Sequence, residues 1–189
     1  MRIKVLFGAA ILSVILLGCS TTGMVYNENM NDGKKMLKGN HPQEALEHFT
    51  LATQMSPDAD AYSYAAIAAF KIGDLDRAAQ YLKEAEKRGG RSFAYLRIAG
   101  YKALIALKPG TTKAGLDTLQ DYIEAYRHSD YLMNIEDVEY MWRSGKIDFP
   151  VLEKLIDEQI TTYYNDIEDY DNNRSGWYGM KNRSRIRGY

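Results

Sequence analysis

Three histidines, a single cysteine and several paired carboxylates are the side chains of this 189-residue chain whose types could do chemistry. His41 and His48 are seven residues apart and can share one helix face, but no acid or cysteine completes a metal-binding set around them. His128 stands alone near an expected helix end, where a cation is favourable in any case. Surface or capping roles are expected for all three. Asp157-Glu158 and Glu168-Asp169 are adjacent pairs, so on a helix they splay apart and read as solvated faces. A carboxylate pair that cleaves a glycosidic bond must flank it. There is no G-x-S-x-G elbow, no H-E-x-x-H and no phosphate-cradling glycine loop. The expectation is therefore a chain with no catalytic residue, no metal and no cofactor, and not an enzyme.

The single cysteine is Cys19, and its surroundings give it another use. Met1-Arg2-Ile3-Lys4 makes a short positive head, and Val5 to Leu17 is an apolar or small-residue run interrupted only by Ser13. This has the form and length of a signal peptide, and is short for a bilayer span of ~20 apolar residues. It ends in Leu16-Leu17-Gly18-Cys19, which resembles the lipobox of bacterial lipoproteins, with Leu17 the less usual choice at its position. An ordinary secretory signal with a coincidental cysteine is the alternative. The resemblance implies a signal peptide over 1–18, cleavage before Cys19, a diacylglycerol thioether on its sulfur and an acylated new N-terminus. Each buried methylene of such an anchor contributes ~0.8 kcal/mol, so multiple acyl chains hold a small domain firmly. Ser20, where an Asp would imply inner-membrane retention, implies an outer-membrane location facing the periplasm. If Cys19 is acylated, the mature chain keeps no thiol for a disulfide, a metal site or a nucleophile.

Without Arg2 and Lys4, 22 basic residues face 25 acidic ones, which is not a nucleic-acid-binding balance. The charge is unevenly spread. Residues 135–171 carry eleven acids and three bases, whereas residues 172–189 carry five bases and no acid.

The segment GDLDRAAQYLKEAEKRGG, residues 73–90, shows how the elements that would position a site are organised. Gly73 breaks, Asp74 can cap, Ala78, Leu82 and Ala85 recur at helical spacing, and Gly89-Gly90 stops the helix. Thirty-three residues earlier, Ala45, Phe49 and Ala52 hold the same places. Gly33 and Ala66 are likewise 33 apart, Gly100 follows 34 further on, and Pro57 closes a repeat. A period near 34 with small-large-small helical marks resembles tetratricopeptide repeats. Small residues let paired helices approach closely, and each hairpin leaves an apolar face that the next hairpin covers. An arbitrary helical bundle with alanine at helical spacing is the alternative. Helices are also expected over Ser92–Leu107, Thr112–Arg127, Asp130–Arg143 and Pro150–Ile167, less faithful to the pattern, with Gly115, Leu119 and Tyr122 the best fit to the third triplet.

The expected fold is all-α, a short right-handed α-solenoid of three to four tetratricopeptide-like hairpins with a disordered C-terminal tail. Its expected parts are a lipidated tether over 19–31, repeats over 32–127, a degenerate repeat or capping hairpin over 128–168, and a basic, Tyr/Arg-rich mobile tail over 169–189.

In tetratricopeptide-repeat proteins the first helix of each hairpin lines a concave, peptide-holding face. That resemblance carries Asn27, Met30, Lys34, Leu37 and Lys38 onto the face, then Asp60, Ser63, Ile67, Phe70 and Lys71, then Arg97, Tyr101 and Leu104. Lys34, Lys38, Lys71 and Arg97 would make it basic, with Ser63 among them, able to meet a carboxylate or an acidic segment. Ile67, Phe70 and Leu104 could equally be core, and the lysines ordinary solvated positions. In the tail, Arg174, Arg183 and Arg185 with Trp177 and Tyr178 have the composition of interface hot spots. The bland alternative is a solvated tail folding back on the acidic stretch. The leading expectation is a lipid-anchored periplasmic adaptor or scaffold that binds envelope proteins and helps assemble a secretion, pilus, polysaccharide-export or cell-wall machine. The membrane would be a partner through the anchor, and nucleic acid would not. The alternative is a cell-wall or polysaccharide-binding lipoprotein working through aromatic and basic residues.

Overall fold

The computed structural model describes residues 22–89, 94–128 and 134–173. Among them are eight helices and no strand. They are α1 over 22–38, α2 (Pro42–Met55), α3 (Ala59–Lys71), α4 (Leu75–Arg88), α5 (Tyr95–Leu107), α6 (Lys113–His128), α7 (Ile135–Ser144) and α8 (Phe149–Asn173). The chain is all-α, its helices packed in adjacent pairs as successive hairpins. It divides into two units, residues 1–98 and 99–189, so the boundary falls inside α5.

In the first unit the marked small residues sit where helices meet. A Cβ built on Gly33 would lie 2.6 Å from the Phe49 ring, so α1 approaches α2 at a distance only glycine permits. Both small-large-small triplets are interior: Ala45, Phe49 and Ala52 on α2, and Ala78, Leu82 and Ala85 on an otherwise exposed α4. Helix α3 lies between α2 and α4 and is buried nearly all round from Ala65 to Phe70. The turns follow their residues. The α1–α2 turn places Asn40 at φ 62, and the His41 amide donates to the Met36 carbonyl. Pro42 opens α2, where a missing N–H costs nothing. Ser56-Pro57 ends that hairpin, and the Asp58 carboxylate caps α3 by accepting from the Ala61 amide. Asp74 does the same for α4 at the Arg77 amide.

In the second unit α5 runs out at Lys108-Pro109-Gly110, and Thr112 caps α6 by accepting from the Gly115 amide at 3.0 Å. Helix α7 packs on α6 and ends at Gly145, φ 64. The 25-residue α8 buries Leu152, Ile156, Gln159, Ile160 and Ile167. A Cβ on Gly100 would come within 2.9 Å of both Ile156 and Ile160, so α8 presses on the small-residue position of α5.

Several expected boundaries move. The tether expected to reach residue 31 is helical from residue 22, and Met30 is buried. The stretch looked polar because of its asparagines, but Tyr26, Met30, Gly33 and Leu37 recur at helical spacing and supply an inward stripe. At the other end, α8 continues five residues into the expected tail, to Asn173. Helices α5 and α7 are described from Tyr95 and Ile135, later than the expected Ser92 and Asp130, with 90–93 and 129–133 outside the described residues. The signal segment, Cys19 and the rest of the tail also lie outside them.

Candidate functional site

The side of the first unit formed by α1, α3 and the start of α5 collects the residues expected to line a groove. Arg97 is its centre. It was expected as an accessible cation, but it is 1% exposed. Its guanidinium lies 3.8 Å from the centroid of the Tyr64 ring and donates to Ser63 Oγ at 2.8 Å and to Asp60 Oδ1 at 3.1 Å. Ser63, fully buried, also donates from its hydroxyl to the Asp60 carbonyl. Both residues are therefore interior, correcting the open basic face. The physical reason is a planar, weakly hydrated guanidinium that can be buried when it stacks on an aromatic ring and meets a carboxylate. The Asp60 side chain remains 47% exposed, so the pair is wet on its acidic side.

Tyr26 joins the network from α1. Its phenol is held well above its ordinary pKa, first by burial, then by donating to Asp58 and by the nearby negative charge of Asp58 and Asp60, with Arg97 opposing. Asp58 thus serves both as cap of α3 and as partner of Tyr26. Lys34 stands 5.1 Å from the centroid of the Tyr64 ring. Lys34, Lys38 and Lys71 are exposed, as expected, with the Lys71 ammonium 6.0 Å from the Phe70 ring. Ile67, Phe70 and Leu104 are buried, so the reading of them as core holds. The accessible chemistry of these helices is mixed: exposed lysines along α1 and at the end of α3, and the half-exposed carboxylate of Asp60 at the start of α3.

In the second unit Tyr101, expected on the groove, is 2% exposed. Its hydroxyl donates to Asp157 on α8. Tyr122 of α6 donates to Gln159 of α8 at 2.7 Å in a buried contact, and burial holds its phenol well above the usual range. The face of α5 around Gly100 and Tyr101 is thus taken by the chain's own last helix.

Arg174, Trp177, Tyr178, Arg183 and Arg185 lie outside the described residues, as does Cys19. His41 lies 3.4 Å from Glu44, and His48 Nδ1 is 3.1 Å from Asn29 Oδ1. Among the described residues no group of three or more His, Cys, Asp or Glu side chains is placed to hold a metal. None of the described helices is long and apolar enough to cross a membrane. Tyr26, Asp58 and Tyr64 complete the Arg97 network. Asp58, in Ser56-Pro57-Asp58, carried a helix-cap signal, whereas nothing in the sequence linked the other two to Arg97. No protein-family model, curated protein or solved structure matches the chain.

Proposed function

We propose that this protein is a lipid-anchored adaptor of the bacterial cell envelope. It would be held at the outer membrane through Cys19, face the periplasm, and dock protein partners on the α1/α3 face of its helical repeats. The observation that carries the reading is the repeat packing itself, with Gly33 against Phe49 and two buried small-large-small triplets. Rigid stacked hairpins of this kind present a preformed surface, and a preformed surface spends little ordering entropy on binding. Lys34, Lys38 and Lys71 are exposed on that side while Arg97 is paired with Asp60, and their charge suits an acidic or mixed-charge segment. The tail from Arg174, with Trp177 and Tyr178, would supply a second contact and raise the effective concentration of the first.

The test is photo-crosslinking in cells from Lys38 and Lys71, on the full chain and on one ending at Asn173, where α8 is complete. One dominant envelope protein captured from both positions, and lost from each on Lys34→Glu, supports docking on this face. Loss on truncation instead assigns the contact to the tail. Capture of only cell-wall fragments and abundant lipoproteins overturns the adaptor reading.

One feature favours a second reading, a cell-wall or polysaccharide-binding lipoprotein. On α3 and α4, Arg88 lies 4.5 Å from the Tyr62 ring centroid, Tyr62 lies 6.2 Å from Tyr81, and Arg77 lies 5.5 Å from Tyr81. Partly exposed tyrosines flanked by guanidinium groups are surfaces on which sugar rings can stack. Sedimentation of the soluble chain with cell-wall sacculi, abolished by Tyr62→Ala/Tyr81→Ala, would favour it.

A further inference from the structure

We propose that the first turns of α1 rest on the lipid bilayer, so that Met24 and Val25 extend the acyl anchor into a second, adjoining membrane contact. The proposal rests on the reading of Cys19 as acylated. Four observations converge on it.

The connection is short. With α1 already helical at residue 22, only Ser20 and Thr21 separate Cys19 from the helix, three residue steps with a reach of at most about 10 Å. Two further residues at the helical rise put Met24 within about 14 Å of Cys19. The headgroup zone is roughly 5–8 Å deep on each side of the hydrocarbon core, so the first turn stands at or just above it.

The side chains there are apolar and uncovered. Met24 is 65% exposed, the most exposed large apolar residue among the described residues of its unit, and Val25 is 40% exposed. A Cβ added to Gly23 would meet no atom within 4 Å, so the protein leaves this end of α1 open.

The approach carries no charge. From Cys19 to Asn27 there is no acidic or basic residue, and Glu28 is the first. A helix start built for water commonly carries an acid in its first turn, where the dipole favours it.

Finally, α1 is not free to roll the pair inward. Tyr26 is bound to Asp58, Asn29 to His48, and Met30 is buried. These contacts commit the side of the helix opposite Met24 to the protein, which leaves Met24 facing out and Val25, about a quarter turn round beside Asn29, at the edge of that outer face. An apolar pair so close to an acylated residue has the bilayer as its nearest apolar medium. The consequence is orientation: the repeats would be held at a set angle to the membrane and would not swing on a loose tether.

The mature chain has no other cysteine, so Met24→Cys or Val25→Cys provides one labelling site, with Glu47→Cys on exposed α2 as control. Each acylated full-length variant carries an environment-sensitive fluorophore and is reconstituted into phosphatidylethanolamine/phosphatidylglycerol vesicles. Quenching by spin-labelled lipid and by aqueous iodide is then read. The expected result is several-fold stronger lipid quenching at 24 and 25 than at 47, with weaker iodide quenching. Flotation with the vesicles and the mass of the N-terminal peptide report acylation separately. If the protein floats and is acylated but position 24 is quenched like position 47, the seat is wrong and the anchor stands. If the peptide is unmodified and the protein does not float, both fall. Protection from iodide without lipid quenching would mean that a protein covers the pair, and would also overturn the proposal.

Discussion

Replacing Gly33 by alanine tests the close packing on which the repeat reading rests. The added methyl carbon would sit 2.6, 2.7 and 2.9 Å from three atoms of the Phe49 ring, where ordinary contact needs about 3.5 Å or more. The ring must retreat by nearly 1 Å. It is fully buried and stacked on Tyr64 at 5.2 Å and 17°, so it cannot move without moving its neighbour. Overpacking of this kind costs about 1–3 kcal/mol, while exchanging glycine for alanine inside a helix returns up to about 1 kcal/mol. The net expectation for Gly33→Ala is a loss of about 0–2 kcal/mol. For a chain of this size each kcal/mol corresponds to about 2–4 °C in melting temperature. Two further variants remove the ambiguity of a small net effect. Gly23→Ala, in the same helix with open space around it, keeps the propensity gain without the clash and should melt at or above the wild type. Phe49→Leu in the Gly33→Ala background should cost about 1–2 kcal/mol less than Phe49→Leu alone, because the smaller side chain makes room. Thermal and urea melts of the lipid-free chain supply the numbers. If Gly33→Ala is as harmless as Gly23→Ala and uncoupled to Phe49, the α1–α2 approach described here is wrong.

Arg97→Ala should destabilise by on the order of 3 kcal/mol, since it empties a buried site and strips Ser63 and Asp60 of their donor. An unchanged melting temperature with lost partner capture would instead make Arg97 a binding residue. Ala78→Leu should cost about 1–3 kcal/mol by overpacking α3 against α4, read as a lower urea midpoint. In alkali, Tyr26 and Tyr122 keep their protons in the fold above the ordinary value near 10, so the stability they contribute is full below that value and is lost as pH rises towards their folded values. Tyrosine absorbance at 295 nm should therefore titrate in two stages, with the late stage coinciding with unfolding. Tyr26→Phe should soften the alkaline fall in melting temperature, and an unchanged profile would sink the assignment.

What the sequence disclosed and what it withheld divide along a physical line. The triplets Ala45-Phe49-Ala52 and Ala78-Leu82-Ala85 were legible because helix–helix approach imposes size on fixed positions, and periodicity records it. The turns at Pro57, Gly73-Asp74 and Lys108-Pro109-Gly110 were legible because their residues have local conformational reasons to be there. The start of α1 was hidden because asparagines and a glycine dilute its stripe, and what decides it is tertiary burial of Met30 and Tyr26. The burial of Arg97 is hidden for a similar reason. A charged side chain is solvated by default, and its partners Asp60 and Ser63 lie 37 and 34 residues away. A one-dimensional pattern does not carry such a pairing.

The last helix covers the face of α5 at Gly100 and Tyr101 within the second unit. A stack of hairpins always leaves one apolar face without a following repeat, and that face must be covered or made polar. Here α8, at 25 residues the longest described helix, lies against α5 and α6 through Ile156 and Ile160 at Gly100, Asp157 at Tyr101 and Gln159 at Tyr122. Two of those contacts are polar, with matched donors and acceptors, so α8 is fitted to one register and is not a loosely held apolar cap. A partner seeking the face at Tyr101 would have to replace both hydrogen bonds and the burial of Leu152, Ile156 and Ile160. Docking at α1 and α3 would require no such displacement, which is why exposed Lys34, Lys38 and Lys71 are the positions from which a partner is best sought.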